Sequence, residues 1–199
     1  MSNDPSVDSS RRSAIVATSV VGGIGAACTA VPFVASFAPS EKARAAGAPV
    51  EVDIGQMKEG ELLVAEWRGK PVWILKRSKA MLDSLAKTES KVADPKSERK
   101  PSELTPEYCR NQARSIKPEI LVAVGICSHL GCSPSGPFTA GANPALGDDI
   151  GFVCPCHGST FDMAGRVWKA KPAPDNLEIP PHMYLSDTKL LIGEDKKGA

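Results

Sequence analysis

Cys127-Ser128-His129-Leu130-Gly131-Cys132 and Cys154-Pro155-Cys156-His157-Gly158-Ser159 are the two stretches that decide the reading. Each holds a cysteine and a histidine close together, as Cys127-x-His129 and Cys154-x-x-His157. Each can therefore offer one thiolate and one imidazole from a tight turn. Thiolates suit iron and zinc, and imidazole suits both. Four of the six cysteines lie in these stretches, the pattern of a metal site rather than of a disulfide-dense miniprotein. A Cys₂His₂ set is compatible with tetrahedral zinc. Zinc spacings, however, usually separate like ligands by short gaps, whereas here each stretch mixes the two types and carries an additional cysteine.

Working outward, the flanks read as strands. The apolar, β-branched run Ile120 to Ile126 leads into the first stretch, and Gly151 to Val153 into the second. Val50 to Ile54 alternates apolar and polar, as a half-exposed strand does. Glu61 to Trp67 and Lys70 to Lys76 read as strands joined by a hairpin turn at Arg68-Gly69. Ser78 to Ala86 reads as a short helix and Lys189 to Ile192 as a closing strand. Lys87 to Lys117 is charged, proline-punctuated and without apolar period, so it reads as an irregular surface insertion. Its run from Lys87 to Lys100 reads as a solvated face, or one that touches a partner subunit. Low aromatic content with 17 glycines and 17 prolines suits a loop-rich, mostly β domain.

The N-terminal part is different. Residues 1–12 are polar and end in Arg11-Arg12, and no charge occurs from Ser13 to Ser40. About 20 apolar residues span a bilayer as a helix, so 13–37 reads as a transmembrane anchor. A buried core helix rarely runs so long without a polar face. A cleaved signal peptide is the stronger rival, with Ala43-Arg44-Ala45 and Ala45-Ala46-Gly47 as loose cleavage sites, but its apolar core is usually shorter. The arginine pair resembles a twin-arginine export signal and also fits ordinary positive-inside anchoring. Either way residues 1–12 stay cytoplasmic. Residues 38–49 read as a flexible linker and 50–199 as the domain. The formal net charge of +1 provides no large field toward nucleic acid.

The doublet Cys-x-His-x-x-Cys and Cys-x-Cys-His-Gly-Ser resembles the Rieske iron–sulfur family, in which two Cys bind one iron of a [2Fe–2S] cluster and two His the other. The resemblance implies an all-β, antiparallel β-sandwich with an inserted cluster-binding subdomain at about 120–175. It implies Cys127 and Cys154 as cysteine ligands and His129 and His157 as histidine ligands. Cys132 and Cys156 match the pair that forms a disulfide between the loops in respiratory members. Leu130 would shield the cluster, and the Ser159 hydroxyl would hydrogen-bond a bridging sulfide. Pro172-Ala173-Pro174 resembles the family's proline loop, with Lys171 where glycine is usual. Ser128 stands where threonine is common, and Phe161 where high-potential members carry tyrosine.

Together with the anchor, the resemblance implies the Rieske subunit of a quinol–cytochrome c reductase in a bacterial inner membrane, single-pass, with its domain on the periplasmic side. The implied partners are quinol, cytochrome b, a c-type cytochrome and lipid, in a dimeric complex. His157 would hydrogen-bond quinol and accept its proton, with His129 as companion. The alternative is a Rieske subunit of another periplasmic oxidoreductase, such as arsenite oxidase. Of the remaining residues, Cys28 reads as a small residue of the apolar run, Cys109 as a free surface thiol and His182 as a surface histidine. Trp67, Trp73 and Trp168 read as packing residues.

Overall fold

The computed structural model describes residues 9–41, 47–99 and 104–195. It divides into two units, Met1–Ala45 and Ala46–Ala199. Residues 42–46, the centre of the expected linker and of the loose cleavage sites, lie outside the described residues.

In the first unit, Ser9–Ala35 forms helix α1. At about 1.5 Å per residue it is about 40 Å long, more than the hydrocarbon core of roughly 30 Å. Its apolar side chains are exposed, among them Ile15, Val21, Val31 and Phe33. Thr18 and Thr29 donate their hydroxyls to the carbonyls of Ala14 and Gly25 at 2.8 and 2.9 Å, so these polar groups are satisfied without water. Pro32 sits in the last turn, where it removes the N–H that would bond the Cys28 carbonyl but lies close to the helix end. By length and composition this helix can anchor the chain in a membrane.

The second unit is built from antiparallel strands. The expected hairpin pairs β2 (Leu62–Trp67) with β3 (Lys70–Lys76). Arg68 and Gly69 have φ of 52° and 70°, the double positive φ of a type I′ turn. β4 (Ile120–Val124) completes that sheet on the other side of β3. A second sheet has the order β1 (Val50–Asp53), β9 (Lys189–Ile192), β8 (His182–Tyr184). A third joins β5 (Ser135–Phe138), β6 (Gly151–Val153) and β7 (Thr160–Phe161). Helix α2 (Lys79–Thr88) follows β3, capped by Ser78, whose Oγ accepts from Met81 N–H at 3.4 Å.

β4 and the middle of β3 are buried on both faces, which is why β4 reads as an unbroken apolar run rather than an alternating one, whereas the edge strand β2 keeps Val64 and Glu66 exposed. Val72, Ile74, Val122 and Val124 face one core with Leu190 and Ile192. Trp73, Leu75, Leu121 and Ala123 face the other, with Cys127, Phe152, Cys154 and Phe161. Trp73 stacks on Phe152 at 4.9 Å between ring centroids. Gly125 lets the chain pass that indole: a Cβ there would lie 2.2 Å from Trp73 Nε1. The cluster-bearing stretches thus grow out of β4 and β6, and their first cysteines belong to a packed core.

Three sequence expectations change. Cys109 is not a surface thiol but fully buried, and burial pushes its pKa up to about 12. His182 is buried too, its Nδ1 2.9 Å from the Pro180 carbonyl. The insertion 87–117 is not a solvated face throughout. Thr88, Val92, Ser97, Thr105, Arg114 and Ser115 are buried in it. The pattern is aperiodic because polar side chains here do the packing through hydrogen bonds. Arg114, wholly buried, donates to Ser97 Oγ, Thr105 Oγ1 and the carbonyls of Ala164, Gly165 and Leu177. Burial lowers its pKa to about 10, which still leaves it charged at neutral pH.

Candidate metal centre

The two stretches fold as matched loops. In the first, Cys127 N–H donates to the Cys132 carbonyl at 2.8 Å and Gly131 N–H to the Cys127 carbonyl at 3.1 Å. In the second, Cys154 N–H donates to the Ser159 carbonyl at 2.7 Å and Gly158 N–H to the Cys154 carbonyl at 2.9 Å. The same ring is closed twice from different sequences. Cys132 and Cys156 are joined by a disulfide that ties the loops together.

The four expected ligand residues come together as two pairs, the thiols and the imidazole rings. The thiols of Cys127 and Cys154 are both free and buried. Burial, foremost, and the neighbouring Cys154 raise the pKa of Cys127. A thiol crowded in an apolar pocket resists ionisation, and a metal cation is what makes a thiolate stable there. The rings of His129 and His157 lie 4.7 Å apart, edge to face. Among the described residues, His129 Nδ1 is buried and finds no hydrogen-bond partner. A buried imidazole nitrogen with a lone pair and no donor is what a metal ligand looks like before the metal is considered. Two inner thiols and two outer imidazoles fit a [2Fe–2S] cluster of the mixed Cys/His type. Leu130 is 71% exposed at the tip, so it is an apolar residue presented outward.

A third segment closes over the loops. Ser159 Oγ accepts from Ala173 N–H at 2.9 Å, and Ser159 lies beside the Cys127 thiol. Ser128 Oγ donates to the Asp175 carbonyl at 2.7 Å and accepts from Asp175 N–H at 3.2 Å. Each loop therefore lends one serine to the proline loop. The part played by Ser128 was not apparent from its place in the motif. Behind the second loop, Asp162 and Arg166 form a fully buried pair at 2.7 Å. Asp162 also accepts the N–H groups of Ala164 and Arg166 at 2.9 and 2.8 Å, so the turn after β7 is fixed by a satisfied charge. The spacing Asp162-x-x-x-Arg166 was the sequence signal for it.

Comparison with known proteins gives the family. The Rieske [2Fe-2S] domain matches residues 49–181. The chain belongs to that family. Its cofactor is a Rieske [2Fe–2S] cluster. Residues 1–40 match the "Ubiquitinol-cytochrome C reductase Fe-S subunit TAT signal". A Rieske relative from Allochromatium vinosum, named ubiquinol-cytochrome c reductase iron-sulfur subunit, is 56% identical over 95% of this chain and 90% of its own length. One of the same name from Bradyrhizobium diazoefficiens is 37% identical over 89% of this chain and 90% of its own. A solved chain of "Hyperthermophilic respiratory Complex III" is 28% identical, covering 89% of this chain and 96% of its own, with a TM-score of 0.45.

Proposed function

We propose that this chain is the Rieske subunit of a ubiquinol–cytochrome c reductase. The observation that carries the reading is the 56% identity to a subunit of that name over nearly the whole chain. The match of residues 1–40 to the signal of that same subunit favours it over an arsenite oxidase subunit. Cys127, Cys154, His129 and His157 would hold the cluster. Once bound, the cluster supplies a one-electron acceptor whose potential is raised by its two histidine ligands.

The chain's own groups do the rest. His157 is exposed and His129 half-buried, so His157 meets quinol first and takes a proton at its outer ring nitrogen. Leu130 keeps water from the docking face. Ser159 orients a hydrogen bond toward the sulfurs, and Ser128 holds the proline loop in place. The helix anchors the chain in the inner membrane of a bacterium, with the domain exported to the periplasmic side. Residues 38–49 then let the domain move between cytochrome b, where quinol is oxidised, and a c-type cytochrome, within a dimeric complex.

The test is genetic and biochemical. Membranes lacking this chain should not reduce cytochrome c with quinol, and the wild-type chain should restore turnover whereas Cys127→Ser should not. Co-purification of the tagged chain without any cytochrome b would overturn the reading.

A further inference from the structure

The exposed crest of the proline loop has little to hold it. Ala170, Pro172 and Pro174 are exposed, and Ala173 is the buried residue between the two prolines. The chain also turns into the loop through Ala170 at φ 54°, a conformation that disfavours any residue with a Cβ. Something must offset that strain, and the two serine bonds from the cluster loops reach only the far half of the loop.

The charged insertion supplies it at both ends. On the incoming stem, Ala93 N–H donates to the Val167 carbonyl and Lys169 N–H to the Lys91 carbonyl, each at 2.8 Å. Val92 and Trp168 face each other there as an antiparallel bridge. Lys91 lies over the Trp168 ring and Lys169 Nζ donates to the Ser90 carbonyl at 2.8 Å. On the outgoing stem, Arg99 Nη1 donates to the Pro174 carbonyl at 2.9 Å. Asn176, buried, donates through Nδ2 to the Asp94 carbonyl at 2.9 Å and to Ser97 Oγ at 3.1 Å. Its Oδ1 accepts from Val167 N–H at 2.9 Å, which links one stem to the other. Asp94 in turn accepts the N–H groups of Glu98 and Arg99, each at 3.0 Å, and so sets the turn that aims Arg99.

We infer that residues 90–99 of the insertion clamp both stems of the proline loop, with Arg99 and Asn176 as positioning residues that hold it against the two cluster loops. The charge of this segment is therefore not only for solvation: its backbone and the side chains of Lys91, Asp94, Ser97 and Arg99 form a brace. Its bearing on electron transfer rests on the reading that the proline loop covers the cluster.

The test uses the full-length, cluster-loaded protein and hydrogen exchange at the amides of Ala173 and Asp175, which donate to Ser159 and Ser128. Exchange there reports opening of the loop. Because Arg99 is exposed, Arg99→Ala should leave the fold intact, even where Asn176→Ala does not. Arg99→Ala should speed exchange at both amides by roughly threefold or more, with β3 and β4 unchanged. Arg99→Lys keeps a donor and should stay near wild type. Unchanged exchange in Arg99→Ala overturns the clamp. The midpoint potential is read on the same samples. Faster exchange with a shifted potential supports the clamp and the covering role together. Faster exchange at constant potential still supports the clamp and counts instead against the loop as the cluster's cover.

Discussion

Gly131 and Gly158 occupy the same place in the two cluster loops: each donates its N–H to the carbonyl of the cysteine four residues earlier, at φ of 82° and 71°. Neither has a neighbour within 4 Å of where a Cβ would stand. The requirement is therefore one of backbone conformation and not of space. An L-residue in that region costs roughly 1–2 kcal/mol.

The first prediction follows. Gly131→Ala and Gly158→Ala should each lower stability by about 1 kcal/mol, and the double variant by about their sum if the loops strain independently. Thermal unfolding of the loaded protein measures it. A cost well below the sum would mean that the disulfide already couples the two loops.

The second prediction concerns that disulfide. Cys132 and Cys156 are 24 residues apart in sequence and bridge loops that are otherwise joined at the metal site and through the proline loop. Cys132→Ser should keep all four ligands yet lower stability by roughly 2–5 kcal/mol, with faster loss of the visible cluster absorption. An unchanged cluster lifetime would argue that the proline loop alone holds the loops together.

How much of this was legible depended on what set each element. The hairpin Leu62–Lys76 could be read because the Arg68-Gly69 turn and the apolar runs on either side of it act locally. The metal site could be read because its ligand types and spacing are set by chemistry, not by packing. Cys109, His182 and Arg114 could not be placed, because their burial depends on partners far along the chain. His182 lies against Tyr108 across 74 residues, and Arg114 reaches the Leu177 carbonyl across 63. The short strands Ser135–Phe138 and His182–Tyr184 were missed for the same reason: the former holds Gly136 and Pro137, and both are defined by their pairing rather than by composition.

The third prediction is a pH dependence from His182. Its burial disfavours the charged ring, which outweighs the Pro180 carbonyl and Asp195 and lowers its pKa below the ordinary value of about 6.5. The unfolded chain therefore binds a proton that the folded chain refuses. Stability contributed by the neutral ring is present above pH ~6.5 and falls as pH drops below it, until the folded-state pKa is reached, with a slope approaching ~1.4 kcal/mol per pH unit. Denaturant midpoints of wild type and His182→Gln, compared from pH 7.5 down to about 5, should converge as pH falls. Parallel curves would place the titration elsewhere.

The last prediction rests on Phe161. Its side chain is fully buried in the core that also holds Cys127 and Cys154, and its backbone pairs with Phe152. A hydrogen bond to a cluster sulfur favours the more negative, reduced state and so raises the potential. Phenylalanine cannot make one, so in this chain Ser159 is the hydroxyl in position to do so. Phe161→Tyr adds a hydroxyl to a fully buried position, where an unpaired hydroxyl costs roughly 1–3 kcal/mol. The new group must therefore find a sulfur or destabilise the fold, and the two outcomes separate cleanly. If it finds one, the midpoint potential should rise by some tens of millivolts, given that about 59 mV is a tenfold change for one electron, and the melting temperature should hold. Ser159→Ala should move the potential the other way and also loosen Ala173, which its Oγ accepts from. Redox titration of the loaded protein, followed by the cluster's spectroscopic signal, gives the first readout and thermal unfolding the second. A lower melting temperature at unchanged potential would show that the hydroxyl at 161 does not reach the sulfurs, and that tuning in this chain comes from the loops rather than from β7.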